Sequence, residues 1–437
     1  MERYEKYKDS GVEWIGEIPV HWSTKKLKYV VEVNPSKSII DFDKNSSNTV
    51  VFLPMEKVSE NGKIDQSLRK KIAELSSGFT YFEKNDVIIA KITPCFENGK
   101  GALLVDLDTE FGFGSTEFHT IRATEKLTKE FVYYITRSEK FMTLGEAFMT
   151  GSAGQKRVPT NFIKEFKIGL PPDNEQADIT NYLDKKTSEL DTLITKKEKL
   201  IELLKEERTA IINQAVTKGL DPDVEMKDSG VEWLGEIPAH WEVRKIGYVS
   251  KVVRGASPRP AGDPKYFNGS FLPWITVKEV TNATGMYITG TEEYLTEEGS
   301  KNTRIIEPET LLLSNSGATL GVPRISKIRG GINDGSVAFF NPTAERDFLY
   351  WFFITHTKIY REEASGYGQP NLNTEIVKQT PIAIPPLTEQ LDIIQHIYVE
   401  QKRVETIISK TNQEITLLKE YKTALISEVV TGKVKVF

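Results

Sequence analysis

The sequence is poor in the residues that enzymes most often use for metal or nucleophilic chemistry. Among 437 residues it has five histidines and a single cysteine, Cys95. One cysteine cannot form an internal disulfide, which is typical of a reducing compartment. No phosphate-binding glycine loop, dinucleotide fingerprint, HExxH segment, CxxC pair or methyltransferase Asn-Pro-Pro-aromatic segment is present. The sequence therefore favours a binding protein over an enzyme.

Long apolar runs are also missing. No stretch of roughly eighteen apolar residues occurs, and the amino-terminal MERYEKYKDS is charged and has no apolar centre. We therefore expect neither a membrane span nor a secretion signal, and a cytoplasmic location. A hydrophobic content of 39% predicts a folded chain, long enough for several domains.

What is present is a duplication. KDSGVEWIGEIPVHW, Lys8 to Trp22, returns as KDSGVEWLGEIPAHW from Lys227 to Trp241, with thirteen of fifteen positions identical. Two further pairs follow: IGLPPDNEQADI matches IAIPPLTEQLDI, and LLKEERTAIINQAVT matches LLKEYKTALISEVVT. Such agreement indicates two tandem units. The repeated opening segment is interpreted as a scaffold element, because it is shared by two bodies that otherwise diverge.

The linker between the copies contains the letters of a metal-nuclease site. Asp223, Glu225 and Lys227 form a PD…ExK pattern, but such a site needs its carboxylates on separate strands, whereas these are neighbours. The matching positions in the first copy include Tyr4 and Lys6. We therefore expect no catalytic residue and no metal ligand in this chain.

Each copy contains an α+β body followed by a long helix. Short apolar runs separated by Gly, Asn and Pro predict the β-rich bodies. After LPP and IPP, apolar residues repeat every seven positions and predict coiled-coil helices. In the first helix a second column is predicted at Ile179, Leu193 and Leu200. The residues predicted to line the helix interfaces are Leu183, Leu190, Leu204, Ile211, Ile397, Val404, Leu418 and Leu425.

These elements give an α+β fold: two globular domains joined by a long antiparallel two-helix coiled coil, with an internal pseudo-two-fold repeat. The predicted boundaries are 1–170 for the first globular domain and 171–222 for the central helix. The second globular domain is predicted at 223–384 and the carboxy-terminal helix at 385–437.

The charge balance does not by itself identify a ligand. The net charge is −5, and the bodies are near neutral, with 21 basic and 19 acidic residues over 23–165, and 16 and 15 over 242–380. Binding to DNA would therefore need the basic residues to be segregated on one face. Near-neutral bodies equally suit the alternative, a two-headed coiled-coil protein-interaction scaffold.

Each body ends in a glycine-rich polar loop, GSAGQKRVPT and GYGQPNLNT. Glycine lets a backbone approach a phosphate, and Arg, Asn and Gln can pair with purine edges. An ordinary polar loop is an equal alternative. On residue chemistry and loop position, the predicted DNA-binding residues are Lys91, Lys100, Lys156 and Arg157 in the first body and Arg254, Asn315, Arg324, Gln369, Asn371 and Asn373 in the second.

With its doubled opening segment, its doubled PPxxEQ helix starts, AKITPCFENGKG and FGSTEFHTIR, the chain resembles the specificity subunit of a type I restriction-modification system. The second body departs from the first, with SNSGATLGVPR where the first has AKITPCFENGKG, which implies a different half-site.

The resemblance implies a non-catalytic subunit that binds double-stranded DNA. Each body would be a target recognition domain reading one half of a bipartite, asymmetric site. The implied partners are two modification (methyltransferase) subunits and two restriction (endonuclease/translocase) subunits. S-adenosylmethionine, Mg and ATP would be bound by those partners, leaving no cofactor in this chain.

Overall fold

The computed structural model describes residues 2–38, 48–75, 77–152, 154–317, 319–364 and 372–436. The chain forms two compact units: unit 1 comprises Met1–Glu198 and Asn412–Phe437, and unit 2 comprises Lys199–Thr411. Each long helix contributes to both units. The four domain boundaries drawn from the sequence stay a prediction.

Unit 1 begins with the opening segment and continues into two four-stranded sheets. Its strands are β1 (Tyr7–Asp9), β2 (Glu17–Pro19), β3 (Ser23–Lys26), β4 (Val31–Val33), β5 (Thr49–Leu53), β6 (Arg69–Lys71), β7 (Thr80–Glu83), β8 (Val87–Ala90), β9 (Gly101–Leu103), β10 (Phe111–Gly114), β11 (Phe118–Ala123) and β12 (Lys167–Leu170). Its helices are α1 (Lys129–Arg137), α2 (Glu139–Ala147), α3 (Thr160–Glu165) and the first part of α4 (Asp173–Lys218).

Unit 2 repeats this order of elements. Its strands are β13 (Met226–Asp228), β14 (Glu236–Pro238), β15 (Glu242–Lys245), β16 (Lys251–Arg254), β17 (Phe267–Ile275), β18 (Tyr287–Ile288), β19 (Tyr294–Leu295), β20 (Arg304–Ile306), β21 (Thr310–Ser314), β22 (Pro323–Ser326), β23 (Gly330–Ile332), β24 (Ser336–Phe340) and β25 (Pro381–Ile384). Its helices are α5 (Ile246–Val249), α6 (Val277–Asn282), α7 (Glu297–Ser300), α8 (Arg346–Ala364), α9 (Thr374–Gln379) and α10 (Leu387–Val430), of which α10 continues into unit 1.

The two bodies have the same sheet topology although their sequences diverge. The order β4-β11-β8-β9 in unit 1 corresponds to β16-β24-β21-β22 in unit 2, where β18 adds a fifth strand. The order β6-β5-β10-β7 likewise corresponds to β19-β17-β23-β20, and in both sheets the central pair is parallel. β8 and β21 are buried along their whole length, as expected of continuous apolar runs in the middle of a sheet. The predicted α+β fold with an internal repeat is confirmed.

The opening segments are fixed by the residues that start the long helices. Trp22 and Trp241 are fully buried. The Glu175 carboxylate of α4 accepts hydrogen bonds from Trp22 Nε1 at 2.8 Å and bonds His21 Nε2 at 2.6 Å. Glu389 of α10 makes the same two contacts with Trp241 and His240, at 3.0 and 2.8 Å. The His-Trp pair of the repeated motif therefore has a structural role, as the sequence indicated.

Within each unit the long helices pack antiparallel. In unit 1 Lys422 Nζ lies 2.6 Å from the Asp191 carboxylate, and in unit 2 Arg403 bonds Glu207 at 2.7 Å. All eight predicted interface residues are buried or half-buried. The predicted second column of α4 is right only at its first residue: Ile179 is fully buried, but Leu193 and Leu200 are 41% and 42% exposed. The second buried column instead consists of Thr187, Ile194 and Ile201.

No helix in the described ranges is long and apolar enough to cross a membrane.

Candidate nucleic-acid interface

Four loops of unit 1 meet at one end of the β4-β11-β8-β9 sheet, and we call them loop cluster 1. They comprise residues 34–38, 91–99, 115–117 and 150–160, of which 153 lies outside the described residues. The Lys91 amide donates to the Glu117 carbonyl at 2.8 Å, and the Lys91 carbonyl accepts from the Val158 amide at 2.8 Å. This backbone ladder links the glycine-rich closing loop to the end of β8 and the start of β11.

The same ladder exists in unit 2. The Asn315 amide donates to the Gly335 carbonyl at 2.9 Å, and the Asn315 carbonyl accepts from the Leu372 amide at 2.7 Å. Lys91 and Asn315, both predicted DNA-binding residues, therefore occupy equivalent positions. Loop cluster 2 comprises residues 255–262, 315–317, 319–321, 333–335 and 372–374.

Side chains reinforce loop cluster 1. Asn34 has a positive φ of 55°, a backbone conformation that asparagine tolerates better than most residues. Its Oδ1 accepts from the Thr120 amide at 3.0 Å, and its Nδ2 lies 3.1 Å from His119 Nδ1. The second His119 nitrogen lies 2.8 Å from the Val158 carbonyl. Burial lowers the pKa of His119 below its usual value, so the ring is neutral and its two nitrogens act as one donor and one acceptor.

Three of the four predicted residues of the first body come together in loop cluster 1. Lys91 and Arg157 sit on the strand exit and closing loop, and Lys156 is exposed beside them. Arg157 makes a two-pronged ion pair with Glu117, Nε to Oε2 at 2.9 Å and Nη2 to Oε1 at 2.9 Å. Lys100 is not part of this group, because its ammonium is bonded to the Met55 carbonyl at 3.2 Å beside β9.

In unit 2, Arg254 and Asn315 converge on Asp334, whose carbonyl accepts from Arg254 Nε at 2.7 Å and Asn315 Nδ2 at 3.2 Å. Asn315 is only 1% exposed. Its side chain therefore shapes the loop more than it faces outward. Asn373 caps α9 by accepting from the Glu375 amide at 3.0 Å. Gln369 and Asn371 lie outside the described residues.

The guanidinium of Arg324 turns away from loop cluster 2. It donates to the carbonyls of Pro323 at 2.7 Å and Ala283 at 2.8 Å, and lines a groove of about 1170 Å³ beside α8 and the long helices of unit 2. Burial lowers the pKa of Arg324 from its ordinary value. The segment SNSGATLGVPR does not by itself predict that Arg324 lies in a strand or that its guanidinium donates to two main-chain carbonyls.

Three residues of the loop clusters are missing from the predicted set: two acids, because only basic and amide side chains were considered, and Arg259, which lies outside the segments that were singled out. Glu117 and Asp334 are the acids that hold the arginines. Arg259 is 70% exposed and lies 3.3 Å from the Asp334 carboxylate. A hydrogen bond from Ser257, followed by Arg259 and Arg254, keeps the pKa of Asp334 below its usual value. The available sequence signal was the position of Glu117 inside FGSTEFHTIR.

Within the described ranges, no three His, Cys, Asp or Glu side chains form a group that could hold a metal ion. The two carboxylates of the PD…ExK letters belong to the connection between α4 and β13, where the Glu225 carbonyl accepts from the Ala239 amide at 2.7 Å.

A family profile described as type I restriction modification DNA specificity domain matches the chain twice, over residues 19–203 and 238–422. The type I restriction enzyme EcoEI specificity subunit of Escherichia coli is 37% identical over 172 residues, which is 39% of this chain and 28% of that protein. The match thus spans less than a third of that relative's length. The putative MjaX specificity subunit of Methanocaldococcus jannaschii is 23% identical over 97% of this chain and 96% of its own length.

Two solved structures share the fold. A chain from a study of complex assembly and conformational transition of the type I R-M system superposes with a TM-score of 0.76 at 20% identity, covering 95% of this chain and 99% of that one. The HsdS subunit of Thermoanaerobacter tengcongensis gives a TM-score of 0.60 at 20% identity, covering 95% and 98%.

Proposed function

Because the chain belongs to the type I restriction modification DNA specificity family, we propose that it is the subunit that gives a type I restriction-modification complex its DNA sequence specificity. Each unit reads one half of a bipartite, asymmetric double-stranded site through its loop cluster. The observation that supports this proposal is the equivalence of the two clusters: the same backbone ladder carries Lys91 in unit 1 and Asn315 in unit 2. The arginines beside the ladder also differ, being Arg157 in unit 1 and Arg254 with Arg259 in unit 2.

Conserving the ladder while changing its side chains is what two readers of different half-sites require. Backbone bonds fix the loops without using side-chain chemistry, so the side chains are left for contacts to phosphates and base edges. The exposed cations Lys156 and Arg259 suit phosphates, whereas partly exposed, acid-held arginines suit bases.

The proposed partners are two modification subunits and two restriction subunits, which carry the methylation and cleavage chemistry. S-adenosylmethionine, Mg and ATP belong to those partners, and the whole complex works in the cytoplasm. We propose that the helix pairs α4 and α10 provide the surface that holds the partners. Support comes from apolar residues that the helix pairing leaves uncovered, such as Leu203, 49% exposed, and Val399, 53% exposed.

The test is methylome sequencing of a host that carries this gene and its modification partner, compared with a deletion of the gene. A split motif of two short half-sites around a fixed gap is expected, and its loss on deletion. Modification that continues unchanged without the gene would refute the proposal and favour the two-headed protein-interaction scaffold.

A further inference from the structure

Arg157 is held on three sides in loop cluster 1. Its amide donates to the Thr150 carbonyl at 2.8 Å, and its own carbonyl accepts from the Thr150 amide at 3.0 Å. Beyond the backbone, Nε and Nη2 bind the two Glu117 oxygens at 2.9 Å each. Neither the main chain nor the plane of the guanidinium is therefore free to turn.

The ion pair is partly open to solvent. The Arg157 side chain is 41% exposed and that of Glu117 is 24% exposed. Arg157 keeps the pKa of the Glu117 carboxyl below its usual value, so Glu117 stays ionised near neutral pH. Because the pair has no net charge, it adds little to general attraction for the phosphate backbone. The pair instead offers a ligand the N–H donors of the Arg157 guanidinium in a fixed arrangement.

Arg122, a second arginine of unit 1, has a guanidinium whose three nitrogens all contact carboxylates. Arg122 binds Asp86 through Nε and Nη2 at 2.8 Å each, and Glu83 through Nη1 at 2.8 Å. Both edges of its fork are occupied by carboxylates. In Arg157 only the Nε–Nη2 edge is occupied by a carboxylate, and Nη1 has a weaker contact of 3.3 Å with the Gln155 carbonyl. The Nη1–Nη2 edge of Arg157 therefore remains available.

We infer that Arg157 reads a guanine in the half-site of unit 1, and that Glu117 is the positioning residue that aims it. The inference rests on the proposed function. In the major groove, guanine presents two acceptors, O6 and N7, spaced to match two guanidinium N–H groups. Adenine replaces the O6 acceptor with an N6 donor, which would face another donor. A guanidinium held by a carboxylate has already lost most of its side-chain conformational entropy. Little further entropy is therefore lost when it contacts the base.

The experiment compares the methylation motif of the complete modification complex carrying the wild-type chain, Arg157→Lys, Glu117→Gln or Arg122→Lys. In the wild type, one half-site is expected to contain an invariant guanine. Arg157→Lys should lower the preference for guanine at that one position by about 10- to 100-fold, because a lysine ammonium lacks the planar fork that Glu117 holds in one orientation. Glu117→Gln should relax the same position to a smaller degree. Arg122→Lys is the matched control and should leave the motif unchanged.

A second measurement covers variants that modify DNA too poorly for a motif to be read. Binding of the purified complex is measured by competition with duplexes in which each guanine of the half-site is replaced in turn by 7-deazaguanine, which lacks the N7 acceptor. Wild-type binding should weaken at one guanine by about 10-fold, and the Arg157→Lys complex should respond less to that replacement.

Four results would overturn the inference. They are relaxation at a base other than guanine, weakening that is equal at every position, an unchanged motif in Arg157→Lys, and a Glu117→Gln variant that loses preference elsewhere. Equal weakening would identify Arg157 as a phosphate contact. The absence of any split motif in the wild type is a separate outcome, because it would refute the proposed function whatever the variants do.

Discussion

At the scale of single residues, each loop cluster contains an acidic side chain that holds an arginine. Glu117 binds Arg157 with two oxygens, and the Asp334 carboxylate lies 3.3 Å from Arg259 while its main-chain carbonyl accepts from Arg254. Under the proposed function, such acids orient individual cations on the surface that contacts DNA.

One buried histidine, His356, is expected to make the stability of unit 2 sensitive to acid. His356 of α8 is 3% exposed, lies 4.7 Å from the Trp233 ring and 4.4 Å from the Tyr360 ring, and has no hydrogen-bond partner for Nδ1 among the described residues. Burial lowers the pKa of His356 from 6.5 to about 4. Since the unfolded chain binds the proton first, the contribution of neutral His356 to stability is complete above pH 6.5 and is lost as the pH falls towards 4.

We therefore expect His356→Phe to reduce the acid sensitivity of unfolding. Between pH 7.5 and pH 4.5 the wild type should lose more free energy of unfolding than the variant, by about 2–3 kcal/mol at most. Urea unfolding at both pH values measures this difference. His396→Gln, at an exposed position of α10, serves as the control. Equal acid sensitivity in wild type and His356→Phe would contradict the assignment.

At the scale of elements, the long helices show what heptad patterns can and cannot predict. The residues of the first column, Leu183, Leu190 and Leu204, are buried or half-buried. A second column can lie either three or four residues after the first, and α4 has apolar residues on both sides, Leu193 and Ile194 being neighbours. The pattern alone cannot choose between them. In the structure, it is Ile194 that is buried.

We expect side-chain substitutions on the face of α10 that packs against α4 to destabilise the protein more than substitutions on its exposed face. Val404 is fully buried in unit 2, whereas Val399 is 53% exposed. Val404→Ala should lower the free energy of unfolding by about 1–3 kcal/mol, because it removes two buried methyl groups and leaves a cavity. Val399→Ala should change it by less than about 0.5 kcal/mol. Urea denaturation of both variants measures these changes in the free energy of unfolding. Similar losses in the two variants would show that Val404 does not lie in the contact between α4 and α10.

Sheets and loops differ in how far sequence predicts them. The α+β bodies and their repeat could be predicted, because continuous apolar runs such as VIIA and LLL predict buried strands. The loop clusters could be located only in part. Lys156 and Arg157 follow from a glycine-rich loop, but the equivalence of Lys91 and Asn315 depends on backbone register, which no residue type encodes. Arg324 was misjudged because its acceptors are main-chain carbonyls 1 and 41 residues away along the chain.

At the scale of the whole molecule, the duplication separates scaffold from specificity. Glu175 and Glu389 brace the two opening segments identically, and Gln176 and Gln390 each bond the backbone just before a body helix, at Thr128 and Glu345. The loop clusters share backbone bonds but differ in side chains. Substitutions in one cluster therefore need not disturb the brace of either unit.

This separation predicts that changes in the two clusters act independently on DNA binding. Lys156→Ala and Arg259→Ala each remove an exposed cation, and each should weaken binding and reduce the slope of log affinity against log salt by about one. Because the residues belong to different units with separate cores, the loss of binding free energy in the double variant should equal the sum of the losses in the two single variants to within about 0.5 kcal/mol.

Fluorescence anisotropy of the complete complex at several salt concentrations measures both the binding free energies and the salt slopes. Lys301→Ala, an exposed lysine outside loop cluster 2, is the control and should not alter the slope. A coupling energy above about 1 kcal/mol would mean that the two clusters do not read DNA as independent modules.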